Sequence, residues 1–137
     1  NIWDKDKGIT QRPLMTKDQV MKWLYLGMDI GAHSKSHPDL TVIAKNDIFQ
    51  EIIGSKIELE DYFQVPIRDF CYPFGNFNEF VVNTVRDAGY FSATTMIRGK
   101  VGSESDRFIL PRIPINHHTL PHLFLTKILT KYEERRG

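Results

Sequence analysis

Met28-Asp29-Ile30-Gly31-Ala32-His33-Ser34-Lys35-Ser36-His37-Pro38-Asp39-Leu40 is the stretch on which the reading of the chain turns. Residues 28–32 are short, partly apolar and interrupted by glycine, which predicts a brief strand that delivers His33 at its C-terminal end. His33 and His37 are four positions apart. If the chain turns helically after the strand, both imidazoles point the same way and can share one metal ion. The spacing alone more often marks solvated surface histidines or a contact at a helix start.

Upstream, Thr16 and Gln19 form a capping box, with Val20, Trp23 and Leu24 following at helical spacing until Gly27 stops the helix. Downstream, Asn46 or Asp47 is expected to cap a helix whose apolar face is Ile48, Ile52, Leu59 and Phe63, running through Gly54 and ending before Pro66. Residues 68–72 read as a strand that stops at Pro73-Phe74-Gly75. Asn78 then caps a helix carrying Val81, Val82 and Val85 up to Gly89.

Residues 90–95 are aromatic and β-branched, hence strand, and 98–106 form a polar loop. A last strand, broken by prolines, is expected over 108–115, after which Thr119 and Pro121 open a terminal helix. Alternating strands and helices define an α/β class with a mostly parallel sheet, in one domain over residues 1–137. Such folds place their chemistry at the C-terminal ends of the strands, where both the histidines and Pro73-Phe74-Gly75 fall.

Composition narrows the partners. Of 137 residues, 18 are Lys or Arg and 17 Asp or Glu, a formal net charge of +1 that gives no electrostatic draw toward nucleic acid or an anionic membrane. Cys71 is the only cysteine, which rules out an intrachain disulfide and an all-cysteine zinc site. No apolar run approaches the roughly 20 residues that span a bilayer. The first residues lack a signal core and an initiator methionine, so the chain is expected to be an internal piece of a longer product.

The string from Gly31 to Leu40 resembles the "G-x-H-S/T-x-x-H-P-x-L" motif of polysaccharide deacetylases of the carbohydrate esterase family 4 type, which remove N-acetyl groups from chitin, peptidoglycan and related glycans. The helix ending at Gly27-Met28-Asp29-Ile30 is similar to that family's lead-in. Phe70-Cys71-Tyr72-Pro73-Phe74-Gly75 is similar to its third motif, and Asp87-Ala88-Gly89-Tyr90 and Leu110-Pro111-Arg112-Ile113 match two further landmarks. The small residue at Cys71 resembles the members acting on poly-β-1,6-N-acetylglucosamine and similar exopolysaccharides. The resemblance implies a partial (β/α) barrel lacking its N-terminal strands.

It also implies a site. His33 and His37 would be two ligands of one divalent metal, Zn2+ first, with Co2+ or Ni2+ as alternatives. Amide hydrolysis needs an activated water, an oxyanion donor and a proton for the departing amine, and a divalent ion lowers the pKa of its water from 15.7 toward about 7. By resemblance the Phe74 amide is the oxyanion donor, and Arg112 matches an arginine that orients an active-site carboxylate. Tyr72, Pro73 and Gly75 are the expected substrate-binding residues, with Tyr72 either stacking on a sugar or pointing into the core. Pro-Phe-Gly read alone is a plain turn with an aromatic plug.

The family's first motif, an aspartate doublet supplying the base and the third ligand, has no counterpart here. Asp4 and Asp6 alternate with lysine in the manner of a solvated turn. His117, His118 and His122 read as polar-loop and helix-surface residues rather than a late acid histidine. The expectation is thus a parent protein that deacetylates an N-acetylglucosamine-containing polysaccharide outside the cytoplasm. Its third ligand and base would lie outside this chain, leaving the 137 residues poorly active alone. The rivals are a non-catalytic glycan-binding or scaffolding relative and a structural fragment that self-associates through its exposed partial-barrel edge.

Overall fold

The computed structural model describes residues 13–136. The chain divides into two compact units, residues 1–30 and 31–137. In the first, α1 (Lys17–Tyr25) begins with the expected capping box: the Gln19 amide donates to Thr16 Oγ1 and the Thr16 amide to Gln19 Oε1. Gly27, at φ +81°, follows its C-terminus. Trp23 Nε1 donates to the Asp29 carbonyl at 3.1 Å, tying down the chain that leaves the helix. Asp4 and Asp6 lie outside the described residues.

The second unit is built on a three-stranded parallel sheet in the order β1 (Asp69–Cys71), β2 (Ser92–Arg98), β3 (Leu110–Arg112). The α/β class and the parallel pairing agree with the sequence reading, and the strands form part of a (β/α) barrel. The expected strand over 28–32 reduces to a single parallel bridge, Ala32 to Phe70, because only Ala32 exchanges hydrogen bonds, with Asp69 O at 2.8 Å and from Cys71 N at 2.9 Å. Gly31 permits that approach: a Cβ there would stand 2.9 Å from the Asp69 carbonyl oxygen. The last strand is likewise shorter than the expected 108–115, since prolines at 111 and 114 remove ladder donors.

Between the bridge and β1 lie α2 (Lys45–Phe49), a π turn (Gln50–Gly54) and α3 (Ser55–Phe63). Neither Asn46 nor Asp47 caps this segment. The cap residue is Ala44, with no side-chain hydrogen bond. The single expected helix is interrupted at the π turn, where the Ile52 carbonyl accepts from Tyr90 Oη at 3.0 Å and Ser55 Oγ at 2.9 Å. A π turn releases a carbonyl from the regular ladder, and these two hydroxyls supply partners.

After β1, α4 (Glu79–Asp87) is capped by Asn78 as expected, its side chain accepting from Val81 N at 3.0 Å. Val81, Val82 and Val85 of this helix are buried with Phe70, Ile52 and Tyr90. Burying each such large apolar side chain stabilises by about 1.5–3 kcal/mol. The terminal helix α5 (Pro121–Leu129) opens at Leu120 rather than Thr119, whose hydroxyl is engaged with Asn116. Beyond it Glu133, 1% exposed, is ion-paired to Arg98 at 2.7 Å and Lys127 at 2.8 Å. No helix among the described residues is long and apolar enough to cross a membrane.

Candidate active site

The two motif loops leave neighbouring positions at the C-terminal side of the sheet, one after the Ala32 bridge and one after β1. His33 and His37 come together with ring centroids 4.7 Å apart, edge to face. They do so without the expected helical turn. Ser34 (φ 61°) and His37 (φ 59°) both adopt left-handed backbone, and the His37 amide donates to Ser34 Oγ at 3.0 Å, so a tight polar turn replaces the helix.

Phe74, between Pro73 and Gly75 in the next loop, is left-handed too (φ 57°). Three of the four described non-glycine residues with positive φ therefore sit in these two loops. Each such conformation costs on the order of 1–3 kcal/mol and persists where its surroundings enforce it, most often at functional sites.

The enforcement is visible. Gly75 (φ +72°) packs so close to β2 that a Cβ would stand 2.6 Å from Met96 Cβ, at the irregularity between Thr94 and Arg98. Asn76 Nδ2 donates to Asp39 Oδ2 at 2.7 Å, while Asp39 Oδ1 accepts from the amide and hydroxyl of Thr41. The two loops are thus joined by one side-chain hydrogen bond. The Phe74 ring also meets His37 edge to face at 4.6 Å.

His33 Nδ1 lies 2.8 Å from the Cys71 carbonyl oxygen. A carbonyl only accepts, so Nδ1 carries the proton and Nε2 keeps its lone pair, the tautomer in which a histidine ligates a metal. Cys71 affects the ring further. Its thiol raises the His33 pKa above the ordinary value, with burial opposing, and the same contact holds the thiol below its own ordinary value.

Arg112 donates to Cys71 Sγ at 3.6 Å. This contact places the guanidinium at the same strand ends as the two motif loops. Tyr72 is 1% exposed and donates to the Phe108 carbonyl at 2.9 Å, so of its two readings the core one holds and stacking on a sugar is closed to it. Burial pushes its hydroxyl pKa well above the ordinary value. Pro73 is buried as well.

The aromatic that faces solvent is Phe74, 54% exposed. Its amide has no acceptor among the described residues, whereas the next two amides are taken, Gly75 N by Tyr72 O and Asn76 N by Pro73 O. Among the described residues no group of three or more His, Cys, Asp or Glu side chains could hold a metal ion. Two imidazoles with one fixed tautomer fit part of a divalent site, and a further donor would come from outside the described residues.

Sequence reasoning missed Glu51. Its carboxylate accepts from the amides of Lys35 (2.7 Å) and Ser36 (2.9 Å) and from Ser36 Oγ (2.5 Å). A glutamate within a helical stretch carries no local signal of such a role, and no spacing rule connects it to a loop 15 residues earlier.

The two motif loops, one carrying the histidine pair, lie at the C-terminal ends of a parallel α/β sheet, the place where such folds build their sites. Sequence comparison is more specific: the profile of the family described as "Polysaccharide deacetylase" matches residues 7–93, most of the chain. The protein belongs to the polysaccharide deacetylase family.

Comparison with curated protein sequences gives no match. Among solved structures, the Streptococcus pyogenes deacetylase PplD, in complex with acetate, superposes with a TM-score of 0.80 at 22% identity, covering 90% of this chain and 54% of that one. BC0361, a polysaccharide deacetylase from Bacillus cereus, gives 0.77 at 24% identity, covering 88% and 38%. IcaB from Ammonifex degensii gives 0.62 at 17% identity, covering 77% and 50%. These likenesses show the fold, and the chain spans about half or less of each of those proteins.

Proposed function

We propose that this chain supplies one side of the active site of a metal-dependent hydrolase that removes N-acetyl groups from an N-acetylglucosamine-containing polysaccharide outside the cytoplasm. The observation that carries the reading is the His33–His37 pair, 4.7 Å apart, with His33 Nδ1 committed to the Cys71 carbonyl. His33 and His37 would hold a divalent ion, Zn2+ or alternatively Co2+ or Ni2+, with an aspartate from outside the described residues. When bound, the ion would activate a water and polarise the acetyl carbonyl.

The chain's own groups do the rest. The Phe74 amide, held by left-handed backbone and lacking an acceptor among the described residues, can donate to the oxyanion without reorganising. The exposed Phe74 ring, not Tyr72, offers a face for an apolar sugar surface. The Cys71 carbonyl keeps the His33 proton on Nδ1 through the reaction.

Acetate release from an N-acetylglucosamine oligomer by the whole protein tests this reading. His33→Ala or His37→Ala should lower it at least about 100-fold, because each removes a ligand rather than a supporting contact. Undiminished release in both variants would overturn the ligand assignment. The two-donor set also suits a non-catalytic glycan-binding relative. Such a protein would bind the oligomer and release no acetate.

A further inference from the structure

The loop carrying both histidines, residues 33–37, is made of strained backbone, and its own sequence supplies one internal hydrogen bond, His37 N to Ser34 Oγ. Beside the Cys71 carbonyl and the Asn76–Asp39 bond, its 34–36 backbone is held by the 50–58 segment. Glu51, in the π turn, caps two successive loop amides and the Ser36 hydroxyl. The Lys35 side chain crosses Gly54, where a Cβ would press on Lys35 Cδ at 3.2 Å, and ends in an ion pair with Glu58.

The π turn matters to this arrangement. Its extra residue shifts helical phase by about 100° relative to an uninterrupted α-helix, re-aiming the side chains that follow or precede it. It is fixed in place by Tyr90 Oη and Ser55 Oγ on the Ile52 carbonyl. A half-buried carboxylate that receives three donors from one loop fixes that loop's backbone more firmly than solvent would, since charge-assisted bonds are roughly twice as strong as neutral ones.

We propose that Glu51 is a positioning residue for the histidine pair: its carboxylate, presented by the Gln50–Gly54 π turn, holds the 34–36 backbone in the conformation that sets His33 and His37 edge to face. The inference rests on the metal-site reading for its functional meaning but not for its structural content. It implies that metal affinity depends on a residue that touches neither metal nor substrate.

The test compares Glu51→Ala with Glu51→Gln in the 137-residue chain. Alanine favours helix, so Glu51→Ala removes the three loop bonds without weakening the 45–63 helical segment. Gln keeps one oxygen for the two amides and should rescue in part. In metal-free protein, amide hydrogen exchange at Lys35 and Ser36 should quicken at least about tenfold in Glu51→Ala and less in Glu51→Gln, with exchange in α4 unchanged. In Zn2+ titrations the Kd should rise about 10–100-fold in Glu51→Ala, the range for groups supporting a ligand.

Unchanged exchange at Lys35 and Ser36 in Glu51→Ala overturns the proposal, as does equal loss across α4, which would mark general destabilisation. His33→Ala/His37→Ala is the control. If that double variant takes up Zn2+ as well as the unmodified chain, the ligand reading fails while the exchange result still decides the role of Glu51. If the double variant loses uptake and Glu51→Ala does not, the ligand reading stands and the positioning role fails.

Discussion

The molecule contains two close histidine pairs, and they differ in what surrounds them. His117 and His118 have ring centroids 3.8 Å apart, nearer than the 4.7 Å of His33 and His37. Their loop is held by bonds within itself: Asn116 with Thr119, and the His118 amide to Asn116 Oδ1. The His33–His37 loop is held from outside, by Glu51, by the Cys71 carbonyl and, through Asp39, by Asn76. Proximity of imidazoles is therefore a poor mark of a site. A fixed tautomer and an imposed backbone conformation are better ones, because a ligand set must be preorganised to bind a metal without ordering a loop each time.

The sharpest way to break the comparison is to exchange the pairs' roles by mutation. His33→Ala and His37→Ala should each weaken Zn2+ binding at least about 100-fold in isothermal titration, whereas His117→Ala with His118→Ala should leave it within about twofold. Equal losses from both pairs would erase the distinction.

Gly75→Ala probes the enforcement of the Phe74 turn. A Cβ at φ +72° placed 2.6 Å from Met96 should cost about 2–4 kcal/mol in urea unfolding, the range for a strained backbone combined with overpacking. The corresponding change in the other loop, Asn116→Ala, removes only the local bonds that its Oδ1 accepts from the His118 amide and the Thr119 hydroxyl and should cost about 1 kcal/mol or less.

Tyr90→Phe removes the hydroxyl that satisfies the π-turn carbonyl of Ile52, though Ser55 Oγ remains as a second donor. A loss of about 1 kcal/mol is expected in the same assay, with faster amide exchange at Lys35 and Ser36 as the π turn relaxes. Exchange that quickens only around His117 would contradict the linkage.

The smallest effect is in pH. Burial pushes the Glu51 carboxyl up, but hydrogen bonds from the Ser36 hydroxyl and amide and the Lys35 amide outweigh it, and the net pKa lies below the ordinary value. A carboxylate depressed by folding contributes stability that is present above its unfolded pKa of about 4.3 and is lost as pH falls through the lower folded value. Protection of the Lys35 and Ser36 amides should therefore decline below about pH 4.3, and the decline should vanish in Glu51→Gln.

Much of the fold was legible in the sequence because local signals and burial agreed. The Thr16 and Asn78 caps, the helix of Val81, Val82 and Val85, and the parallel class follow from short-range rules and appear as expected. The strand lengths did not, since backbone pairing depends on neighbours that periodicity does not specify. His33 and His37 were legible as a pair, but their means of approach was not: left-handed Ser34 and His37 carry no compositional mark. Tyr72 and Phe74, two positions apart, could not be told apart by type: alternation continuing from β1 carries Tyr72 inward with Phe70, and the left-handed turn at Phe74 breaks that period and leaves its ring exposed.

The most direct measurement of the central claim is a Zn2+ titration of the chain followed by the ring nitrogens of its histidines in proton–nitrogen correlation spectra. The expected result is that Nε2 of His33 and of His37 shift together while Nδ1 of His33 stays protonated against the Cys71 carbonyl, and His117 and His118 do not move. Shifts confined to His117 and His118, or a His33 that binds through Nδ1, would contradict it.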